Sequence, residues 1–269
     1  MKTNPVSDKL SRIKEFCKTN IYTISFITIF TTAGVAADST EVVEDKSAVI
    51  SFGFENDFNS QYIWRGLSYN EGHISQPSLW IEYSGFTFYT WASITFNDKN
   101  DNPKNNEVDF VAQYSHQYES ILIEPSIAYY FYPNQTDAPP TSEANLKLAY
   151  PVFAFELYSN VCLDFLEYQG SLSGDFGLKK NLFENDDLNI SGDLNTGWTN
   201  QKFNETYLGI SDNSKIFHFI NCSIEMEYYL SETIYLRPHI EYYYIFSPLL
   251  KSVSGNNLTN FGLAVGVGF

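Results

Sequence analysis

The chain has 269 residues, with 16 Lys plus Arg against 32 Asp plus Glu, a formal net charge of −16. That balance excludes nucleic acid as a partner, because phosphate binding needs a basic surface. A mean hydropathy of −0.24 excludes a bundle of transmembrane helices, and 3 Cys exclude a disulfide scaffold. The chain holds 22 Phe and 20 Tyr but only 2 Met, a composition that points to an all-β protein.

The first 37 residues do not resemble the rest. Lys2, Lys9, Arg12, Lys14 and Lys18 make a basic start, residues 21–35 carry no charge, and Val35-Ala36-Ala37 places small residues before Asp38. Basic, then apolar, then small is the order of a secretory signal peptide. The apolar run is short for a membrane span, and no Cys follows the cleavage site, so no lipid anchor is expected there. Cleavage removes five basic residues and two acidic ones, Asp8 and Glu15, and takes the net charge from −16 to −19. Cys17 leaves with the signal. Cys162 and Cys222 are then expected as half-buried thiols on different faces of non-adjacent strands. Residues 38–47 read as an N-terminal periplasmic segment.

From Ala48 onward apolar and polar residues alternate with period two, in segments separated by Asn, Asp, Gly, Ser and Pro. The alternation predicts strands over 48–68, 76–84, 86–96, 107–117, 121–132, 142–150, 153–164, 171–181, 187–199, 216–229, 233–246 and 258–269. In the last of these, Phe261, Leu263, Val265, Val267 and Phe269 share one face, opposite Asn260, Gly262, Ala264, Gly266 and Gly268. The breaks near 85, 118–120, 151–152, 182–186 and 230–232 are short. Those near 69–75, 97–106, 133–141, 165–170, 200–215 and 247–257 are longer, and the two kinds alternate. Tight turns at one end, long loops at the other and an even strand number are the pattern of an outer-membrane barrel. Closure also leaves no backbone N–H or C=O unpaired toward lipid. The expected fold over 48–269 is therefore all-β, a transmembrane antiparallel up-and-down β-barrel of about 12 strands. Ten or fourteen are the nearest alternatives, because 207–211 has room for one more short strand.

A soluble β-sandwich alternates as well. It does not require loop lengths to alternate, nor rings to gather at strand ends as Tyr129, Phe131, Tyr242, Tyr244 and Phe246 do here. Aromatic rings suit the two membrane interfaces. Phe269 closes an apolar stripe at the C-terminus and reads as the assembly signal of an outer-membrane barrel. The expected partners are outer-membrane lipid, the barrel assembly machinery and small solutes or cations. The expected location is the outer membrane of a Gram-negative bacterium.

Near the start of the mature chain stands Tyr62-Ile63-Trp64-Arg65-Gly66-Leu67-Ser68, followed by Gln76-Pro77-Ser78, Gly85-Phe86, Trp91-Ala92-Ser93 and Glu107-Val108-Asp109-Phe110. Over residues 57–110 this series resembles the start of TorF-type porins and related bacterial outer-membrane proteins. Their first strand carries a Tyr-x-aromatic-Arg-Gly-x-Ser pattern, and a Gly-Phe turn leads into a Trp-containing strand. Gln76-Pro77-Ser78 departs from the Pro-Ala pair of many members. The resemblance implies a porin-type barrel and brings no substrate with it.

Strand parity places Glu82, Asp109, Glu124, Glu156, Asp175, Asp193, Glu225, Glu227 and Glu241 toward the lumen, with Arg65, Lys147, Lys179, Arg237 and His239. A bore with carboxylates in excess carries a negative potential and concentrates cations. Arg65 is expected on the first strand as a clamp to Glu82 or Asp109, in preference to a ligand role, and Gly66 as a sharp bend or bulge. Trp80, Tyr89, Trp91 and Tyr243 also face inward, so an open pore and a plugged barrel both stand. The expected function is a porin-like channel for small solutes with a cation preference. The alternatives are a plugged structural or surface-recognition barrel and, further off, an outer-membrane hydrolase.

An enzyme finds little support. His116 and His218 are expected on outward faces, and His239 meets Ser223 only by parity across neighbouring strands. There is no Gly-x-Ser-x-Gly, no His-Glu-x-x-His, no phosphate loop and no Asp-x-Asp-x-Asp-Gly run. No catalytic residue, metal or cofactor is expected, and neither the solute nor the oligomeric state is fixed by these residues.

Overall fold

The computed structural model describes residues 50–96, 106–133, 135, 138–211 and 217–269. The expected signal peptide, the 38–47 segment and most of the 97–106 loop lie outside the described residues. In chain order the strands are β1 (Ile50–Asn59), β2 (Tyr62–Trp64), β3 (Leu67–Asn70), β4 (Ile74–Tyr83), β5 (Phe86–Thr95), β6 (Glu107–Tyr114), β7 (His116–Tyr118) and β8 (Ile121–Phe131). They continue as β9 (Thr141–Val152), β10 (Phe155–Asp164), β11 (Leu172–Glu184), β12 (Leu188–Thr199), β13 (Phe217–Tyr229), β14 (Ile234–Ile245) and β15 (Asn257–Gly268).

All but β2 and β3 form the wall. Each wall strand pairs antiparallel with its neighbour in the chain, β7 extends β6 along β8, and the sheet closes into a barrel of 12 staves. The seam joins the two ends of the chain, with Gly53 opposite Gly268 on β1 and β15. Beyond that ladder Phe269 N–H donates to Phe52 C=O at 2.9 Å, and the two rings stack 5.4 Å apart.

The alternation decides which face is which. On β1, Phe52, Phe54 and Phe58 are exposed outside, while Ser51, Glu55, Asp57 and Asn59 are buried inside. The same holds round most of the wall, so the outer surface is a band of Leu, Ile, Val and Phe, and the interior is polar apart from one apolar cluster. A slip of one residue on β14 would carry Arg237 to the apolar outer face, which for a barrel in a bilayer costs about 2–4 kcal/mol near mid-membrane. Register is pinned in this way. Tyr129, Phe131, Tyr242, Tyr244 and Phe246 are exposed on the outer face toward the long loops, and Tyr83, Phe86, Tyr150, Phe155 and Phe269 toward the tight turns. Ser84 and Gly85 take the left-handed backbone of a type I′ hairpin (φ 52° and 82°), the turn whose twist matches antiparallel strands.

Two expectations are corrected and one alternative is removed. The first wall strand ends at Asn59, not at 68, because residues 60–73 turn into the bore and pair with themselves as β2 and β3. Tyr62, Ile63, Trp64 and Leu67 do not alternate with polar residues, and all four are buried. Residues 207–211 form no strand: 201–208 are helical, begun by Asn200, whose side chain accepts the N–H of Phe203 at 2.9 Å. Cys162 is half-buried and inward, but Cys222 is exposed on the outer face; both are free thiols.

Candidate functional site

The motif Tyr62–Ser68 is the tip of a hairpin inside the barrel. Arg65 and Gly66 are its two turn residues, both left-handed (φ 53° and 80°), between the paired Trp64 and Leu67. Gly66 is required twice over. Its φ is one that side-chain-bearing residues rarely adopt, and a Cβ there would lie 2.7 Å from Phe219 and 2.8 Å from Leu250. Around the tip Trp64 stacks on Phe203 (5.8 Å between ring centroids) and meets Tyr207 (5.2 Å), while Tyr62 lies 5.7 Å from Trp91. Phe203 and Leu208 come from the helical segment 201–208, and Leu250 from the helix Pro248–Ser254. With the inward wall residues Ile74, Phe219, Tyr243, Ile245 and Leu258 they form an apolar core inside the barrel. On the same loop, Ser211 and Gln201 donate hydrogen bonds to Glu205 and hold its carboxyl below the usual carboxylate range.

Charged bonds tie the hairpin to the far wall. Arg65 donates from Nη1 and Nη2 to the two oxygens of Glu143 at 2.8 and 2.6 Å, and its guanidinium lies 4.2 Å from the Trp64 ring centre. Glu143 also accepts from Tyr130 at 2.8 Å, and Tyr62 donates to Glu107 at 2.8 Å. Arg65 is therefore not a wall residue clamped to Glu82 or Asp109; the partner is on β9.

The rest of the lumen is a polar network. Arg237, fully buried, lies 2.5 Å from Glu55 and 3.6 Å from Glu225, and Tyr235 donates to Glu55 at 2.6 Å. Lys147 sits 3.0 Å from Glu124. Asp193 accepts from Tyr158 and Asn195, Glu227 from Tyr229 and Glu241 from Tyr243. Glu82 and Glu156 lie on the inward parity of β4 and β10, opposite Ser51 and Lys179. Asp109 is buried between Trp91 and Tyr130 of the neighbouring strands, and among the described residues no hydrogen bond reaches either carboxylate oxygen. His239 Nε2 is 3.0 Å from Asn59 Oδ1 and 3.8 Å from Asp57, so it engages β1 and not Ser223. His116 is exposed. His218, expected outward, is buried: the register shift between Gly197 and Trp198 turns it in, 2.5 Å from Thr199 Oγ1.

Five inward carboxylates escaped the sequence reading: Glu55, Asp57, Glu107, Glu143 and Asp164. Parity carried the signal for each. Glu55 and Asp57 oppose the Phe run of β1, and Glu143 has the same parity as Lys147 on β9. Between the hairpin tip and the wall lies a cavity of about 140 Å³, lined by Arg65, Gln113, Glu124, Tyr130, Asn145, Lys147, Asn160, Cys162, Asp175 and Asn195, among others. A smaller one of about 30 Å³ lies at the root of the hairpin. The lumen as a whole can hold cations against its surplus of carboxylates and can offer amides and hydroxyls to polar solutes.

Among solved structures the chain is similar to the KdgM porin, with TM-score 0.50 and 10% identity, covering 81% of this chain and 99% of that one. It is similar also to the COG4313 outer membrane channel from Pseudomonas putida F1, with TM-score 0.50 and 8% identity over 85% of this chain and 100% of the other. At such identities the likeness is one of fold. No protein-family model matches the chain, and no curated protein does.

Proposed function

We propose that this protein is an outer-membrane porin-like channel that passes small solutes and prefers cations, with the inner hairpin setting its narrowest part. The observation that carries the reading is a closed barrel, apolar outside, whose interior presents many more carboxylates than Lys and Arg. Carboxylates along a narrow bore act through a dielectric lower than bulk water, so their field on a passing ion is only partly screened. The porin folds of the KdgM and COG4313 proteins, and the resemblance of residues 57–110 to TorF-type porins, support the same class and the outer membrane as its place. The purified protein in a planar bilayer should pass K⁺ more readily than Cl⁻. Replacing Glu225, Glu227 and Glu241 together by Gln should reduce that preference and leave conductance, since Gln keeps shape and hydrogen bonding. Anion selectivity would remove the reading.

One observation favours a second reading. The hairpin crosses the interior and joins an apolar core there, which suits a plugged barrel that acts through its loops. Such a barrel gives no defined conductance steps.

A further inference from the structure

The 30 Å³ cavity lies where the hairpin leaves the wall. Gln61, Tyr62 and Ile63 of the hairpin root close one side of it, and Asp57, His239 and Glu241 of the wall stand on the other. Among the described residues no Lys or Arg lines it. Arg237, on the same strand as His239 and Glu241, is engaged by Glu55 and Glu225.

We propose that this cavity binds one monovalent cation of the alkali or ammonium class, held between Asp57 and Glu241. The proposal rests on the cation-preferring channel reading above and gives it a place. Asp57 is 4% exposed, and its Oδ1 has no hydrogen-bond donor among the described residues. A buried anionic oxygen without a donor is costly unless positive charge stands against it.

His239 shapes the other wall of the cavity. The Gln61 backbone N–H and the Ser60 hydroxyl donate to Asn260 Oδ1 at 3.4 and 3.0 Å, which leaves Asn260 Nδ2 to donate and Asn59 Oδ1 to accept. That oxygen takes Asn260 Nδ2 at 2.7 Å and His239 Nε2 at 3.0 Å. Nε2 therefore carries a hydrogen and lies 3.8 Å from Asp57 Oδ2, while Nδ1 has no partner among the described residues. Gly262 makes the seat for this ring, since a Cβ there would come within 2.1 Å of it.

Size and ligand count select the class of ion. A cavity of about 30 Å³ has room for one water-sized particle, so it takes a small ion and not a larger solute. Among the described residues no three His, Cys, Asp or Glu side chains converge as a metal cage. Ca²⁺ takes about 6–8 oxygen ligands and Mg²⁺ gives up its waters reluctantly, so a divalent ion suits this small cavity less well. A loosely held monovalent ion, able to leave again, suits a conduction path.

Thallium(I), a K⁺ mimic with strong anomalous scattering, tests this directly in crystals of the purified mature protein. One anomalous peak is expected between Asp57 and Glu241, and it should vanish in Asp57→Asn/Glu241→Gln crystals. Asp57→Asn alone, checked for folding by its heat-modifiable gel shift, should lower its occupancy at least tenfold. No peak in the wild-type crystal, or a peak unchanged in the double variant, overturns the site. A peak without cation preference in bilayers leaves the site standing and removes the channel reading. Cation preference without a peak does the reverse.

Discussion

Arg65 and Glu143 meet across the bore. Going round the wall from β1, where the hairpin is rooted, the staves are β4, β5, β6, β8 and then β9, where Glu143 stands. The hairpin must therefore cross the interior to make its two charged hydrogen bonds. The fork of a guanidinium on a carboxylate fixes the orientation of both groups as well as their distance. Tyr130 orients Glu143, Trp64 covers Arg65, and Gly66 lets the chain turn back at that point.

Removing one partner should loosen the hairpin without opening the wall. Glu143→Gln leaves Arg65 facing a neutral amide. One partner lost from a sealed ion pair costs 3–5 kcal/mol, but Arg65 keeps 17% exposure, so about 1–3 kcal/mol is expected. The expected outcome is a lower urea midpoint for the folded barrel, with larger and noisier single-channel steps. Unchanged steps would show that the hairpin does not set the constriction.

Gly66→Val tests the hairpin tip separately from its charges. The side chain must adopt a left-handed φ, at about 1–3 kcal/mol, and meet Phe219 and Leu250 at under 3 Å. Trp64 should leave its stack with Phe203, and its fluorescence should shift to the red. The wall ladder does not involve this residue, so strand content by circular dichroism should stay as it was.

Deleting Phe269 should slow insertion of the barrel. Its N–H and C=O pair with Phe52 and its ring stacks there, so it fastens the last turn of the seam between first and last strand. The amount of heat-modifiable protein in outer-membrane fractions measures this. Wild-type amounts in the deletion strain would separate the C-terminal ring from assembly.

The wall was legible in the sequence because an apolar outer face and polar inward groups impose a strict period of two on residues such as Phe261 to Phe269. The hairpin was missed because only Ser60-Gln61 separates it from β1, although the run Tyr62-Ile63-Trp64 breaks the alternation of the wall. Glu143 escaped for a related reason: its importance comes from Arg65, seventy-eight positions away, and no local pattern encodes that distance. His218 was misplaced by a bulge, which shifts parity by one residue and leaves no mark in composition.

Cys162 offers a reporter already built into the lumen. It lines the larger cavity beside Arg65, Asn160 and Asp175, under the hairpin tip. Cys222, the other free thiol among the described residues, is exposed on the outer face and is removed by Cys222→Ser. A methanethiosulfonate carrying an ammonium group forms a mixed disulfide with the thiol as its sulfinate leaves. If the hairpin is the barrier to the cavity, labelling should be slow in the Cys222→Ser protein and several-fold faster when Glu143→Gln is added. Glu143→Gln is the better probe than Arg65→Gln, because it frees the hairpin while keeping the guanidinium that neighbours the thiol. The path to the cavity passes inward carboxylates, so in both backgrounds the cationic reagent should outpace its sulfonate counterpart at 0.1 M salt, and the gap should narrow near 1 M as screening shortens to about 3 Å. Equal rates with and without Glu143→Gln would show that solutes reach the cavity by another way than past the hairpin.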